Sequence, residues 1–197
     1  MHVRSAVLVL FACVLAAPAA AQDANTYRSP AGYVVDLPAG WVRAPESAVE
    51  DVRRAAPANP GLTHEAVFQT GRARWPSPPF VSIARGVTPD WLTPEEFRRR
   101  WTSPDAQARL QGGAVRADTS RLGRVGMRMG EPWWDEANRA AWMRADMEAI
   151  GGFSWTVMKL HPAGGSMILI QYYSAAGADE EQVLAQLDEV VRSIRVD

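Results

Sequence analysis

The sequence predicts an α+β domain in which a meander of strands is covered by an amphipathic helix at the C-terminus. Residues 140–150 alternate apolar and polar side chains with period two, which is typical of a strand with one dry face. Residues 167–173 form a nearly unbroken apolar run, which indicates a central strand buried on both faces. Apolar residues then recur at helical spacing, at Val183, Leu187, Val190 and Ile194. A helix with so continuous an apolar stripe must cover a sheet.

Residues 1–21 have the pattern of a cleavable secretory signal peptide. Arg4 lies in a short n-region, an apolar run follows from Val7 to Leu15, and small residues end the segment. The apolar run is too short to span a membrane as a helix. We therefore predict cleavage after Ala21, export to the periplasm or beyond the cell, and no transmembrane segment after cleavage.

Cys13 leaves an alternative, a lipoprotein signal acylated at that residue. Val14 to Ala17 argue against it, because they continue the apolar run where a mature lipoprotein turns polar. Cys13 is also the one cysteine of the sequence. The exported domain is therefore expected to contain no disulfide, no thiolate metal site and no cysteine nucleophile.

Residues 22–197 are predicted to form a single domain, because the roughly 175 residues that remain are enough to bury a core of their own. The sequence carries 21 basic and 22 acidic residues, a formal net charge of −1. So balanced a charge predicts no basic surface for nucleic acid and no polybasic membrane segment.

Helix and strand signals alternate through the first part of this domain. The predicted elements are strands at 33–37, 62–70, 80–87 and 122–129 and a helix at 46–56. Thr93-Pro94-Glu95-Glu96 is the clearest helix start, with a cap, a proline at the first position and a glutamate at the third. Ser103-Pro104-Asp105 is predicted to interrupt or restart this helix, and Gly112-Gly113 is predicted to end it.

Turn and cap signals set the register of the C-terminal half. Gly151-Gly152 predicts a tight two-residue hairpin turn, because both glycines tolerate positive φ. A turn at that point makes Ala145 face Met158. After the last strand, Asp179 is placed to cap the C-terminal helix, with Gln182 three residues later as in a capping box.

Both ends of the domain carry a recognisable pattern. The phrase Tyr27…Gly32-Tyr33-Val34-Val35-Asp36-Leu37-Pro38-Ala39-Gly40-Trp41 resembles the opening of the PsbP/DcrB-like superfamily, an aromatic residue followed by a GFxxxLPxGW hairpin. The ending is similar too, a meander and one amphipathic helix that closes with Ser193-Ile194-Arg195. The resemblance implies an α/β/α sandwich, with a mainly antiparallel sheet of about six or seven strands flanked by helices on both faces. It also implies an exported accessory or binding protein, and it supplies no common catalytic residues.

The residues predict no reaction centre and no cofactor. The histidines of the domain are His64 and His161, and neither has an obvious orienting acid. His64 and Glu65 are adjacent, so on a strand they point to opposite faces and cannot chelate one ion together. A zinc site needs three or four convergent ligands. We therefore predict two structural histidines, no metal site and no catalytic residues.

The segment 131–136, Glu-Pro-Trp-Trp-Asp-Glu, is the candidate binding segment. Adjacent tryptophans in an extended segment cannot both face one core, and exposed aromatics are enriched at binding surfaces. The alternative is that both indoles fold back over a sheet edge. Trp75, in the proline-rich loop 71–79, has the same two alternatives, exposure at a binding surface or packing over the sheet. The predicted patch for a peptide, glycan or lipid consists of Trp133, Trp134, Trp75, Arg72, Arg74 and Tyr33.

Three functional hypotheses follow from these patterns. The leading one is an exported, non-enzymatic accessory or binding protein of the cell envelope, which engages a protein or peptide through its loop aromatics. The alternative is a carrier of a small apolar ligand, with a pocket between the sheet and the C-terminal helix lined by Met143, Met147, Met158 and Leu187. Methionines also fill irregular gaps in closed cores, which is the competing interpretation of this set. The third hypothesis is a hydrolase of unrecognised type.

Overall fold

A computed structural model of the chain describes residues 25–55, 61–70, 78–101, 103–105, 108, 114–119, 123–147 and 151–197. The predicted signal peptide, its cleavage point after Ala21 and Cys13 lie outside these residues. The predicted helix stop at Gly112-Gly113 also lies outside them.

The described residues form three helices and twelve strands. The helices are α1 (Glu46–Ala55), α2 (Pro94–Trp101) and α3 (Glu180–Ser193). The strands are β1 (Thr26–Arg28), β2 (Tyr33–Asp36), β3 (Trp41–Arg43), β4 (Leu62–Thr70), β5 (Phe80–Gly86), β6 (Ala114–Thr119), β7 (Gly123–Met129), β8 (Trp133–Asp135), β9 (Ala140–Met147), β10 (Gly152–Leu160), β11 (Met167–Tyr173) and β12 (Arg195–Val196). The four strands and the helix at 46–56 that the sequence predicts in the first part of the domain are confirmed to within one residue at each end. The helix start predicted at Thr93-Pro94 is also confirmed, and α2 ends at Trp101.

The strands build one large sheet and one small sheet. The large sheet has nine strands in the order β3-β4-β5-β11-β10-β9-β7-β6, with β8 also paired to β9. The small sheet has the order β1-β2-β12. Every pairing among the described strands is antiparallel. The predicted α+β class is therefore confirmed, and the main sheet is larger than six or seven strands because β3 and β8, three residues each, are too short to show a period in the sequence.

Buried side chains on the two faces of the main sheet form two separate cores. Along β10, Trp155 and Val157 belong to one cluster and Met158 to the other, as alternation requires. We name the first cluster the α3 core, because it joins the sheet to α3 through residues such as Leu187. We name the second the α2 core, because it joins the sheet to Phe97 of α2.

Helix α1 covers β4 on the same face as α2. Ala48 and Val49 pack on Val67 of β4. Val67 lies opposite Ser82 of β5, and Ser82 is two residues from Ala84 of the α2 core. Helices therefore flank the main sheet on both faces, with α3 on one side and α1 and α2 on the other.

Helix α3 forms as its sequence predicts. The Asp179 carboxylate accepts hydrogen bonds from Glu181 N at 3.0 Å and Gln182 N at 3.3 Å, so Asp179 is the cap. The apolar stripe is buried against the sheet, with Val183, Leu187, Val190 and Ile194 all inside. Burial of each such side chain stabilises the fold by roughly 1.5–3 kcal/mol, so α3 is held by packing more than by helix propensity.

The register predicted for the β9–β10 hairpin is wrong by four residues. Met158 lies opposite Ala141, and the predicted partner Ala145 lies opposite Ser154. The reason is that β9 ends at Met147 and β10 begins at Gly152, so the connection is longer than a two-residue turn. An even shift leaves each side chain on its face, and the predicted division into two faces is retained.

Candidate functional site

The two adjacent tryptophans lie on β8, at the edge of β9. Trp133 is paired with Trp142, and Trp134 is paired with Ala141. Trp142 belongs to the α3 core and Ala141 to the α2 core. The two indoles therefore point to opposite faces of the sheet, as expected for neighbours on an extended strand.

A turn closed by side chains holds β8 against β9. Asn138 N donates to Asp135 Oδ1 at 3.1 Å, and Asn138 Nδ2 donates to Asp135 Oδ2 at 2.6 Å. The same Nδ2 donates to Asp188 Oδ1 of α3 at 3.2 Å. Asn138 is buried, so these bonds take the place of water. The turn fixes the tryptophan strand to the sheet and to α3 together.

Trp133 is the one exposed aromatic side chain among the described residues, with 39% of its surface accessible. Its ring stacks on Trp142, with centroids 5.5 Å apart and planes 9° apart. It also meets Trp155 edge to face at 5.0 Å. Trp142 and Trp155 are both buried, so Trp133 is the outermost member of a packed cluster of three indoles. An exposed indole held in one orientation loses little side-chain entropy when it meets a partner.

Trp134 is half-buried on the other face, against α2. Its ring centroid lies 5.8 Å from that of Phe97, which in turn lies 6.2 Å from Trp101. The indole N–H groups of Trp134 and Trp101 are buried and have no hydrogen-bond partner in the described part of the chain. A buried donor without an acceptor is costly and uncommon in native proteins.

These residues border a cleft of about 220 Å³ between α2 and the start of β8. We name it the aromatic cleft; its lining residues are Phe97, Arg98, Trp101, Glu131, Pro132, Trp133, Trp134 and Glu136. Arg98 forms an ion pair with Glu136 at its rim. The guanidinium of Arg100 lies 6.0 Å from the ring of Trp101, within cation–π range. The cleft therefore combines an aromatic wall with charged residues of both signs.

Of the remaining members of the predicted aromatic patch, Tyr33 alone is among the residues that the structure describes. Trp75, Arg72 and Arg74 lie outside the described residues. Tyr33 is contradicted as a surface residue, because 0% of it is exposed and its hydroxyl donates to Glu65 at 2.6 Å. Its position in a buried strand of the small sheet explains the error.

The apolar pocket predicted between the sheet and the C-terminal helix is not formed by the residues proposed for it. Met143 and Met158 pack in or against the α2 core, and Leu187 belongs to the α3 core on the opposite face. Met147 is buried and lies four residues after Met143 on β9. Because side chains alternate along a strand, the two methionines point to the same face. The sheet separates the methionines from Leu187, so the four side chains cannot share one lining.

Glu65 is a polar centre that the sequence does not predict. Its Oε2 accepts hydrogen bonds from Tyr33 Oη at 2.6 Å, Ser29 Oγ at 2.7 Å and Tyr27 Oη at 3.3 Å. Its Oε1 accepts from Arg85 Nε at 3.2 Å. We name these five residues the Glu65 cluster. Burial, and then the adjacent Glu65 carboxylate, raise the pKa of Tyr33 far above the ordinary tyrosine value of 10.0.

A bulge in β4 explains how Glu65 reaches these donors. The register of β4 against β5 shifts between His64 and Ala66, and such a bulge re-aims the residue within it. His64 turns instead toward β5, with Nδ1 3.1 Å from Ser82 Oγ. The only signal in the sequence is a glutamate inside a predicted strand, and that signal does not identify its partners.

Among the described residues, no three histidine, cysteine, aspartate or glutamate side chains are close enough to hold a metal ion. In the same part of the chain, no helix has the length and hydropathy needed to cross a bilayer.

Comparison with known proteins assigns no family to this chain. No family model and no curated protein matches the sequence. By structure, the chain is similar to a crystal structure from Bacteroides thetaiotaomicron VPI-5482, with a TM-score of 0.39 and 11% sequence identity. The likeness covers 89% of this chain and 49% of the other, so this chain spans about half the length of that protein.

Proposed function

We propose that this protein is an exported, non-enzymatic accessory protein of the cell envelope that binds a protein or peptide partner at Trp133 and the adjoining aromatic cleft. The observation that carries the proposal is Trp133, an indole that is exposed and yet packed against both Trp142 and Trp155. Tryptophan is among the residues most enriched at the energetic centres of protein interfaces.

The aromatic cleft supports a peptide as the partner. The indole N–H groups of Trp101 and Trp134 lack acceptors within the described residues, and the backbone carbonyls of an extended peptide are acceptors of the right kind. The charged rim, with Glu131, Glu136 and Arg98, matches a partner that carries polar side chains beside its apolar anchor. A cleft of about 220 Å³ holds one or two side chains rather than a large ligand.

Export and the accessory role are supported by the sequence. Residues 1–21 have the pattern of a signal peptide. The segment from Tyr27 to Trp41 resembles the opening of the PsbP/DcrB-like superfamily, whose members are mostly non-enzymatic.

The test begins with the selection of binding peptides from a displayed random library. The selected peptides are then titrated into the protein while the indole N–H resonances are observed by NMR. We expect the resonances of Trp133 and Trp134 to shift, and Trp133→Ala to weaken binding by about tenfold or more, as for an interface hot spot. Trp134→Phe, which keeps an aromatic ring but removes the N–H donor, is expected to weaken binding without unfolding the protein.

Val42→Ala is the matched control, because Val42 is also exposed but lies on β3 at the far edge of the main sheet. It should leave peptide binding unchanged. If Trp133→Ala and Val42→Ala bind the selected peptides equally well, with both variants folded, Trp133 is not the binding residue and the proposal fails.

A further inference from the structure

A second cleft, of about 390 Å³, lies at the end of the main sheet where β5 and β10 end and β9 and β11 begin. We name it the polar cleft; its lining residues are Val87, Thr88, Arg139, Leu160, His161, Pro162, Gly164 and Gly165. It shares no residue with the aromatic cleft. Its one charged lining residue is Arg139, and no acidic residue is part of the wall.

Arg139 is held in an unusual backbone conformation. Its φ is 50°, the one left-handed φ of a non-glycine residue in the described part of the chain. Arginine gains nothing locally from this conformation, since asparagine or glycine adopts it at lower cost. The side chain is exposed and forms no hydrogen bond or ion pair with any described residue. A strained turn therefore presents an uncompensated positive charge at the cleft.

His161 contributes a hydrogen-bond donor without a partner. The Ala163 amide donates to His161 Nδ1 at 3.1 Å, so in the neutral ring the proton belongs on Nε2. His161 is only 7% exposed, and its Nε2 is buried with no partner among the described residues. The ring is fixed on its other side by Tyr33, edge to face at 5.5 Å.

Thr88 is the third polar residue of the cleft and, like His161, it has a buried polar atom without a partner among the described residues. Its Oγ1 is buried and has no hydrogen-bond partner in the described part of the chain. Two buried polar atoms without partners in the lining of one cleft depart from the near-complete satisfaction usual in native proteins. Both are able to donate to a bound acceptor, and Arg139 supplies the matching charge.

We propose that the polar cleft binds a small organic monocarboxylate, with the carboxylate held by Arg139, His161 and Thr88. A single guanidinium balances one negative charge, which favours a carboxylate over a doubly charged phosphate. The volume exceeds that needed for an inorganic ion and falls in the range of small-molecule sites. Val87, which is 76% exposed, and Leu160 provide apolar surface for the rest of the ligand. This site does not depend on the aromatic cleft.

The carboxylate has two sources, a free organic acid or the C-terminus of a peptide. The probes are hexanoate, its neutral amide hexanamide, inorganic phosphate, and an acetylated tripeptide with a free or an amidated C-terminus. Each is titrated into the exported domain with backbone amide resonances observed by NMR. We expect hexanoate or the free-acid tripeptide to shift the amide resonances of residues 87–88, 139, 161 and 163–165 and to saturate. Tighter binding of the tripeptide identifies a peptide terminus, and tighter binding of hexanoate identifies a free acid.

Variants separate this site from non-specific binding. Arg139→Asn removes the charge but keeps a residue that tolerates positive φ, and it should weaken carboxylate binding about tenfold, the loss expected for one charge-assisted hydrogen bond. Arg139→Lys should retain part of the affinity. Arg54→Gln, an exposed arginine on α1, is the matched control and should change nothing.

Thr88→Val gives a readout that a purely structural role would not produce. It should raise the melting temperature of the free protein, because a buried hydroxyl without a partner is removed, and weaken hexanoate binding at the same time. The proposal is overturned if hexanamide or phosphate binds as well as hexanoate, if no carboxylate probe saturates, or if Arg139→Asn binds like the unaltered protein.

Discussion

The Glu65 cluster and the polar cleft are neighbours, but the buried polar groups of the first are hydrogen-bonded, whereas two buried polar atoms of the second have no partner among the described residues. Tyr33 connects them, since its hydroxyl donates to Glu65 and its ring packs against His161. On one side, three hydroxyls and a guanidinium converge on a single carboxylate. On the other, Thr88 Oγ1 and His161 Nε2 have no partner among the described residues.

The difference separates polar groups that hold the fold from polar groups that are available to a ligand. A buried carboxylate with four donors has exchanged its water for protein hydrogen bonds, so its removal leaves the donors stranded. A buried donor without an acceptor already lowers the stability of the folded protein. Removal of such a donor should therefore stabilise the fold. Substitutions in the two regions should therefore change stability in opposite directions.

Removal of the carboxylate is the largest expected effect. Glu65→Ala removes the acceptor of the Tyr27, Ser29 and Tyr33 hydroxyls and leaves Arg85 without its ion pair. We expect the free energy of unfolding to fall by about 3 kcal/mol or more. Urea unfolding followed by circular dichroism measures it. Glu46→Ala, which breaks an exposed pair with Arg53, should change stability by less than about 0.5 kcal/mol. Equal effects of the two variants would show that the Glu65 cluster does not stabilise the fold.

Two hydroxyl deletions test the contrast directly. Tyr33→Phe removes a charge-assisted bond of 2.6 Å and should cost about 1.5–3 kcal/mol. Thr88→Val removes a hydroxyl without a partner and should add up to about 1 kcal/mol. Thr88→Ser keeps the hydroxyl and serves as the control, which should not stabilise. If Tyr33→Phe and Thr88→Val change the free energy of unfolding in the same direction, the two regions do not differ in this way.

The smallest expected effect is the pH dependence at His64. Burial, and then the charge of Arg53, lower the pKa of His64 below the ordinary value of 6.5. The unfolded chain therefore binds this proton at higher pH than the folded chain does. The contribution to stability is present above pH 6.5 and is lost as the pH falls through the folded-state pKa.

Titration of the histidine ring resonances by NMR between pH 4 and 8 measures this shift. The His64 resonance should titrate below pH 6.5, while the same residue in the urea-unfolded chain titrates near its ordinary value. A folded-state midpoint at or above 6.5 would contradict the buried, neutral state of His64 next to Ser82.

Predictions from sequence succeeded where the signal is local and periodic. The stripe through Leu187 and the cap at Asp179 locate α3, because both depend on residues within a few turns of each other. The Gly151-Gly152 turn was placed correctly as a hairpin but with the wrong register, because glycine permits several loop lengths. Strand β8 is not among the strands predicted from the sequence, since three residues are too few to show a period.

The candidate sites divide in the same way. Adjacent tryptophans must diverge on an extended strand, and Trp133 and Trp134 do so. Which of them is exposed depends on α2 and Phe97, far away in the sequence, covering Trp134 alone. The methionine pocket failed because strand alternation places Met143 and Met158 on one face, whereas the face covered by α3 is set by topology.

By itself, the sequence determined the α+β class, the amphipathic C-terminal helix and the suspicion attached to the paired tryptophans, because periodicity and capping act between near neighbours along the chain. Only the tertiary structure decided which face each helix covers, which indole stays exposed, and that Glu65 finds its donors while Thr88 and His161 do not. The physical reason is that satisfaction of a buried polar group depends on contacts between residues tens of positions apart, and no local pattern encodes those contacts.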